Sequence, residues 1–198
     1  PRGQQIAESV VSLLKKAGVK FAVLGPMESC TGDPARRLGE EALYQMLATQ
    51  NIENLNELKV KKVIANCPHC FNTIKNEYPQ FGGDFEVVSH TELFSDLIEQ
   101  GRLKPTKEIN QNVAYHDPCY LGRYNRVFDE PRKVLKSIPG LNLVELDRKR
   151  ERSFCCGAGG GKIWMEEDAP RVNWNRFEEV ESKNPDTLAV VCYFCDTM

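Results

Sequence analysis

The stretch Phe154-Cys155-Cys156-Gly157 stands at the centre of a regular cysteine pattern. Cys119 lies in the sequence His116-Asp117-Pro118-Cys119, and 35 residues separate it from the adjacent pair. Another 35 residues separate the pair from Cys192-Tyr193-Phe194-Cys195. Five cysteines at such even spacing indicate one site that uses several thiolate ligands.

An incomplete copy of the pattern lies earlier in the chain. It begins with Ser29-Cys30-Thr31-Gly32, and 36 residues separate Cys30 from Cys67-Pro68-His69-Cys70. The offset between the copies is 126 positions at the cysteine pair and 125 at Cys-x-x-Cys, and it places Ser29 opposite Cys155. A repeat that keeps soft thiolate ligands in register predicts two metal sites, most simply two iron–sulfur clusters.

Zinc and disulfides are the alternatives to iron–sulfur clusters. In a chain with no secretory signal, a reducing compartment keeps ordinary thiols free, which disfavours disulfides. Four thiolates satisfy the tetrahedral coordination of a zinc ion, so zinc remains an alternative metal for these cysteines. Adjacent cysteines are awkward as two arms of one tetrahedron, however, and the five thiolates of the second copy exceed what one zinc ion needs.

The composition is that of a soluble globular protein. The chain has 198 residues, 41% of them hydrophobic, and a formal net charge of −2. That charge balance argues against nucleic-acid binding, which requires an excess of Lys and Arg. No apolar run approaches the roughly 18–20 residues that cross a bilayer, and no segment resembles a signal peptide. We expect a cytoplasmic location, with the inner face of a membrane as the alternative, and membrane contact only through other segments or partners.

Short β-branched runs alternate with amphipathic helical segments, which predicts an α/β fold with parallel strands. We expect two tandem pseudo-repeated α/β units, residues 1–104 with the degenerate motif and residues 105–198 with the complete one. The first unit begins inside a helical pattern and the second ends directly after a ligand motif, as expected of a fragment truncated at both ends. The predicted strands are 20–24, 61–65, 85–88, 112–115, 142–146 and 187–191, and the predicted helices are 4–16, 35–49, 71–77, 92–100, 131–137 and 172–181.

Every cysteine motif follows a predicted strand. Because ligands collect at the carboxyl ends of parallel strands, we expect the cysteines on strand-end loops at one edge. For the first site we expect a fourth ligand from sequence upstream of this chain. The expected metal and cofactor ligands are Cys119, Cys155, Cys156, Cys192 and Cys195 at the second site, and Cys30, Cys67 and Cys70 at the first.

Other conspicuous residues have simpler interpretations. Gly157-Ala158-Gly159-Gly160-Gly161-Lys162 matches neither a P-loop nor a dinucleotide fingerprint, and we expect its glycines to let the backbone approach a bulky inorganic group. We expect the ring of His69 to point away from the metal. His116-Asp117-Pro118 should shape the turn before the next cysteine. Trp164 and Trp174 are most simply core residues.

The second copy resembles a known family. The pattern C-x35-C-C-G-x35-C-x-x-C, with HDPC at its first cysteine and FCCGAGGG at its pair, is similar to the cysteine-rich CCG domain of heterodisulfide reductases and related iron–sulfur oxidoreductases. The stretch ESCTGDPARR, residues 28–37, looks most like the branch linked to electron-transfer flavoprotein and quinone. The resemblance implies a [4Fe-4S] cluster at the second repeat, cubane or non-cubane. It implies a [4Fe-4S] cluster or zinc at the first.

The resemblance also implies an oxidoreductase subunit that is not active alone. It would be an iron–sulfur electron-transfer module, passing electrons between a flavoprotein donor and a quinone or membrane acceptor within a larger redox complex. One alternative is a heterodisulfide reductase-like site that reduces a disulfide at a non-cubane [4Fe-4S] cluster. Another is a zinc-stabilised interaction domain. The sequence contains no Cys-His or Ser-His nucleophile pair, so it identifies no catalytic residue.

Overall fold

The computed structural model describes residues 2–166 and 169–198, and within them helices alternate with short strands. The longest helix has 17 residues, and no helix in these ranges is long and apolar enough to cross a membrane. The helices are α1 (Arg2–Lys16), α2 (Asp33–Arg37), α3 (Glu41–Glu57), α4 (Pro68–Asn72), α5 (His90–Glu99), α6 (Asp129–Lys136), α7 (Val172–Glu181) and α8 (Tyr193–Thr197). The strands are β1 (Lys62–Ala65), β2 (Glu86–Ser89), β3 (Gln111–Tyr115), β4 (Leu141–Val144) and β5 (Thr187–Ala189). A π-helical turn covers Thr73–Glu77, and 3-10 turns cover Gly25–Met27, Tyr78–Phe81, Arg150–Arg152 and Lys162–Trp164.

The strands form two separate parallel sheets. β1 pairs with β2, with Ala65 opposite Ser89. β3 lies between β4 and β5, with Val113 opposite Leu143 on one side and Thr187 on the other. Helices lie in the connections between neighbouring strands, as parallel pairing requires. The predicted α/β fold of two units with parallel sheets is confirmed.

The predicted strand at 20–24 does not form. Residues 19–24 are irregular, and Val19 and Phe21 pack on the apolar faces of α1 and α5 instead. Among the described residues the sheets contain only β1 with β2 and β4 with β3 and β5, so the run at 20–24 has no neighbouring strand. A β-branched run without a neighbouring strand leaves its backbone groups unpaired, so it does not form a strand.

The predicted helix at 35–49 is two helices. α2 ends at Arg37, and α3 begins at Glu41 and continues past the predicted end to Glu57. Gly39 between them has a φ of 87°, a left-handed conformation that ends a helix and turns the chain. The apolar periodicity runs through this break, which is why the pattern alone predicts one helix.

The hydrophobic core is continuous across the two units. Ala65 and Phe71 from the first unit pack with Leu121 and Val127 from the second. Further clusters lie within each unit or beside α1 and α5. The shared cluster lies close to the cysteines, because Phe71 directly follows Cys70. The loops that carry the cysteines therefore rest on packing from both units.

The two tryptophans are exposed, which contradicts their predicted place in the core. Trp164 is 62% and Trp174 is 50% exposed. On α7, Trp174 and Phe177 share the outer face, whereas Arg176 and Val180 lie on the buried face. The buried arginine takes the helix face that the sequence pattern assigns to apolar residues.

Candidate metal centre

Both Cys-x-x-Cys motifs have the same local structure. Cys67 follows β1 and caps the N-terminus of α4, and Cys192 follows β5 and caps that of α8. The two capping residues have nearly equal backbone angles, φ −122° and ψ 127° against φ −128° and ψ 127°. The second cysteine of each motif, Cys70 or Cys195, lies in the first helical turn. A strand followed by such a cap brings both sulfurs to the carboxyl edge of the sheet, as predicted.

The two motifs face each other across the boundary between the units. The thiol of Cys67 hydrogen-bonds to Cys70 in its own unit and to Cys192 in the other. All eight cysteines are free thiols, and Cys30 is exposed at the Cys70 end. Successive thiols are in hydrogen-bonding contact in the order Cys70, Cys67, Cys192, Cys195, Cys156, Cys155 and Cys119, which we call the thiol array.

Hydrogen bonds within the thiol array spread the thiol pKa values apart. Donation from Cys192 and Cys70 holds the pKa of Cys67 far below its usual range. Donation from Cys119 and Cys156 does the same to the pKa of Cys155. The pKa values of the donors Cys70 and Cys119 are raised, since each shares its proton with a neighbour and is buried. Because thiolates repel one another, deprotonating the whole array needs a bound cation.

The structure changes the alignment of the two cysteine patterns. The backbone N–H of Gly32 donates to the sulfur of Cys30 at 3.4 Å, and that of Gly157 donates to Cys155 at 3.3 Å. The two glycines have φ values of 87° and 88°. Cys30 is therefore the counterpart of Cys155, and the offset is 125 throughout.

Thr31 occupies the place of Cys156, so the first copy lacks the second cysteine of the adjacent pair and not the first, which the sequence alignment places at Ser29. The Thr31 hydroxyl donates to the sulfur of Cys70 at 3.6 Å, as Cys156 contacts Cys195 in the second unit. The hydroxyl of Ser29 points elsewhere and donates to Oδ1 of Asn51 at 2.9 Å. The sequence alignment is off by one residue here because spacing alone cannot distinguish offsets of 125 and 126.

His69 forms contacts with both units. Its Nδ1 lies 2.7 Å from Oδ2 of Asp33, and its ring packs between Tyr120 at 4.4 Å and Phe194 at 4.5 Å between centroids. Burial raises the pKa of Asp33, but the hydrogen bonds from His69 and Arg37 outweigh it and lower that pKa. His69 thus joins the first Cys-x-x-Cys loop to aromatic side chains of the second unit.

His116 lies beside the second site, a position that sequence reasoning missed. A ring nitrogen of His116 and the sulfurs of Cys156 and Cys195 all lie within 4.8 Å of one another. Nδ1 accepts a hydrogen bond from Nε of Arg176 at 3.0 Å. Burial, together with the positive charge of Arg176, lowers the pKa of His116 to about 4. The signal for this contact is the buried arginine on α7, 60 residues away in sequence.

Asp117 connects the loops of the second site. Both of its carboxylate oxygens accept hydrogen bonds from the guanidinium of Arg132 at 2.7 Å. Oδ2 also accepts the backbone N–H of Arg150, and the Asp117 carbonyl accepts the Ser153 hydroxyl at 2.8 Å. Arg132 donates further to Glu145. The turn at His116-Asp117-Pro118 therefore fixes the segment that leads into Cys155.

The glycine-rich loop is shaped by backbone conformation and by a close approach. Gly157 places its N–H on a cysteine sulfur, as described above. Gly161 has a φ of 81°, and a Cβ there would overlap the side chain of Leu38 from the first unit. Gly159 has open space around it, since a Cβ would meet nothing within 4 Å.

The residues at the centre fit an iron–sulfur cluster. The donors are almost all thiols, which are soft ligands that disfavour Mg²⁺ and Ca²⁺. The hydroxyl of Tyr115, buried at the end of β3, has no hydrogen-bond partner among the residues that the structure describes, and its pKa is raised by burial and by nearby Asp117. Backbone N–H groups already point at two sulfurs. Donors directed at sulfur are the surroundings in which iron–sulfur clusters are held and tuned.

Comparison with known proteins gives the same picture. The chain is 46% identical over its whole length to the EtfAB:quinone oxidoreductase of Syntrophomonas wolfei and 48% identical to the probable iron-sulfur-binding oxidoreductase FadF of Bacillus subtilis. It covers 29% and 28% of those proteins. Over 96% of its length it is 41% identical to a subunit of the dihydromethanophenazine:CoB--CoM heterodisulfide reductase of Methanosarcina mazei, of which it covers 48%. No solved structure matches the chain. The profile of the CCG cysteine-rich domain matches residues 1–75 and 113–198, and the chain belongs to this family.

Proposed function

We propose that the chain is an iron–sulfur electron-transfer module of a larger redox complex. The observation that carries this proposal is the thiol array, which runs from the first unit into the second without a break. Thiolates are the usual ligands of iron–sulfur clusters. Similar proteins named as iron–sulfur-binding or quinone oxidoreductases support the same assignment.

The second unit supplies the larger ligand set of the proposal. A [4Fe-4S] cluster would be held by Cys119, Cys155, Cys156, Cys192 and Cys195. Five thiolates are one more than a cubane cluster uses, so a non-cubane form is the alternative. When bound, such a cluster accepts and donates one electron at a time. The protein holds the five sulfurs on loops tied by Asp117 and by the cap of α8.

The first unit supplies Cys30, Cys67 and Cys70, with a threonine hydroxyl in place of a further thiol. We propose a [4Fe-4S] cluster here as well, with zinc as the alternative. Thr31 cannot replace a thiolate as a strong ligand, but its O–H can stabilise the negative charge on Cys70. The pair Thr31 and Cys156 therefore accounts for one of the two thiolates by which the ligand sets of the two sites differ.

An electron-transfer module requires one partner that donates electrons and another that accepts them. A flavoprotein such as electron-transfer flavoprotein would donate electrons, and a quinone or another membrane component would accept them. The name of the Syntrophomonas relative contains both EtfAB and quinone. The chain spans less than half the length of each relative described above, so we propose that other segments or subunits provide the contacts with these partners. The location would be the cytoplasm or the inner face of a membrane.

We propose that residues 1–104 and 105–198 are two structural repeats of this module. Each has its own parallel sheet and its own Cys-x-x-Cys cap, and the offset of 125 relates their cysteines. The core cluster that joins Ala65 and Phe71 to Leu121 supports a single packed body. The repeats would thus hold two adjoining metal sites at a fixed separation.

The test uses the full-length protein prepared without oxygen. We expect iron and acid-labile sulfide sufficient for two clusters, and we expect both clusters to be reduced on a turnover timescale by reduced electron-transfer flavoprotein. A Cys155→Ala variant should lose iron mainly at the second site. Cys30→Ala, the same change at its counterpart in the first unit, is the matched control and should lose iron mainly at the first. Stoichiometric zinc without sulfide in the native protein would overturn the proposal.

Disulfide reduction is the second candidate function. It is favoured by the similarity to the heterodisulfide reductase of Methanosarcina mazei and by the fifth thiolate of the second site. Two electrons and two protons would convert a substrate disulfide into two thiols, with the electrons supplied by a reduced flavoprotein or ferredoxin. Rapid thiol release by the pre-reduced protein, combined with slow reduction by electron-transfer flavoprotein, would select this function over electron relay.

A further inference from the structure

The contact between Arg176 and His116 fixes where the histidine carries its proton. Nε of Arg176 donates to Nδ1 of His116 at 3.0 Å, and a guanidinium group can only donate. Nδ1 must therefore offer a lone pair. Since the ring is neutral when it accepts there, its proton lies on Nε2.

Arg176 is itself held in one orientation. Its side chain is 5% exposed, and Nη1 donates to Oε2 of Glu179 at 2.8 Å and to the carbonyl of Arg148 at 3.0 Å. Glu179 is fixed in turn, because it accepts from both the backbone N–H and Nε of Arg148. A chain of hydrogen bonds thus leads from α7 through the guanidinium to the imidazole.

The imidazole faces the second site. With Nδ1 occupied, Nε2 is the nitrogen left to face the sulfurs of Cys156 and Cys195, and the donor atoms of these three residues lie within 4.8 Å of one another. His116 is only 3% exposed, so solvent has little access to the ring. A thiolate is the nearest acceptor chemistry available to it.

We propose that His116 donates its Nε2–H to the thiolates of Cys156 and Cys195 and is not a metal ligand, and that Arg176 fixes this role. The alternative, ligation through Nε2, would move the proton to Nδ1. Two donors would then face each other at 3.0 Å in a buried site, which is unfavourable. The inference rests on the function proposed above, because it needs a cluster at the second site.

An N–H donor at this position sets the reduction potential of the site. Reduction adds negative charge to the sulfurs, and a hydrogen bond to them stabilises the reduced state more than the oxidised state. The donor should therefore raise the midpoint potential. His116 and Arg176 would make the second site easier to reduce than it would be without this hydrogen bond.

The first experiment is a redox titration of the full-length protein followed by electron paramagnetic resonance. His116→Leu removes the donor and should lower the midpoint potential of the second site. His116→Gln keeps a carbonyl for Arg176 and an N–H for the sulfurs, so it should restore most of the wild-type potential. His90→Gln, which alters a partly buried histidine near Cys67 of the first unit, is the matched control and should change the second-site potential less than His116→Leu does. Equal potentials in wild type and His116→Leu, with the cluster retained, would overturn the inference alone.

A second measurement uses wild-type protein, so it does not depend on whether a His116 variant folds. Wild-type protein with 15N-labelled histidine should show only weak hyperfine coupling to the cluster, together with an exchangeable proton. Strong coupling, typical of direct ligation, would overturn the inference while leaving the proposed function intact. Arg176→Met should weaken the proton coupling and lower the potential, and no change in either would refute the role of Arg176. Absence of a cluster from wild-type protein would overturn both proposals.

Discussion

Replacing Arg132 by methionine tests the ion pair that fixes the second site. Arg132 and Asp117 form a two-pronged contact at 2.7 Å, and their side chains are 4% and 2% exposed. Methionine is similar in length and apolar, so Arg132→Met fills much of the same space. The substitution removes both hydrogen bonds that the Arg132 side chain donates to the buried Asp117 carboxylate.

The expected cost follows from the unpaired charge. Removing one partner of a buried ion pair destabilises a protein by about 3–5 kcal/mol, because the other charge stays buried without its counter-ion. For a chain of this size, that loss corresponds to a melting temperature lower by roughly 6–20 °C. Glu145 also loses its partner, but it is 27% exposed and water can solvate it, so it adds less.

The assay is thermal melting of the metal-loaded protein, combined with iron analysis. Lys133→Met is the matched control, since it also replaces a basic residue of α6 by methionine. Lys133 pairs with Glu99 at the surface, where the two side chains are 55% and 58% exposed. Because Asp117 anchors Arg150 and Ser153, we also expect Arg132→Met to reduce iron occupancy at the second site. A melting temperature no lower than that of Lys133→Met would refute the reasoning.

Three further predictions concern the repeat, the glycine loop and acid stability. Thr31→Cys should add a thiol within reach of Cys70 and change the electron paramagnetic resonance spectrum of the first site. Ser29→Cys, the control, should leave that spectrum unchanged. A spectrum changed by Ser29→Cys and not by Thr31→Cys would support the alignment with an offset of 126. Gly161→Ala should destabilise the protein by about 1–3 kcal/mol, because residue 161 has a left-handed backbone and an added Cβ would overlap Leu38. Gly159→Ala, the control, should have little effect on the melting temperature. Equal effects of the two substitutions would contradict this reasoning. Carboxylates whose pKa is lowered in the folded state stabilise the fold fully only above their unfolded pKa values, that is, above about pH 5. They lose that contribution as the pH falls through their folded pKa values, so the melting temperature should fall below about pH 5. A flat profile between about pH 6 and pH 3 would be inconsistent with this. The carboxylates concerned are Asp33, Glu145 and Glu179.

The sequence predicts the local structure of this chain well where the signal is short-range. Five of the six predicted strands are present, and the Cys-x-x-Cys motifs follow β1 and β5 as expected. The errors have physical causes. The run at 20–24 lacks a partner strand, and Gly39 ends a helix whose apolar periodicity continues beyond it. The buried face of α7 is predicted wrongly because it buries Arg176 and exposes Trp174.

The arrangement of the site depends on contacts that no spacing encodes. Cys67 meets Cys192 because the carboxyl edges of two sheets approach each other, and this approach is set by the packing of Phe71 against Leu121. His116 lies within reach of the second site, and its ring is held there by a hydrogen bond from an arginine on α7 that is distant in sequence. The offset of 125 becomes visible once two glycine N–H groups are seen to point at equivalent sulfurs.

Charge balance explains why the thiol array calls for a metal. The buried guanidinium groups near the second site are already paired, Arg132 with Asp117 and Arg176 with Glu179. They therefore leave little positive charge to compensate several thiolates, and the thiols of the metal-free protein must share protons through hydrogen bonds. A bound cluster would replace those protons with iron, and the free energy of its binding would then add to the stability of both units. Because Cys67 and Cys192 touch, charge added at one site raises the cost of charge at the other, so occupancy and potential at the two sites should be coupled.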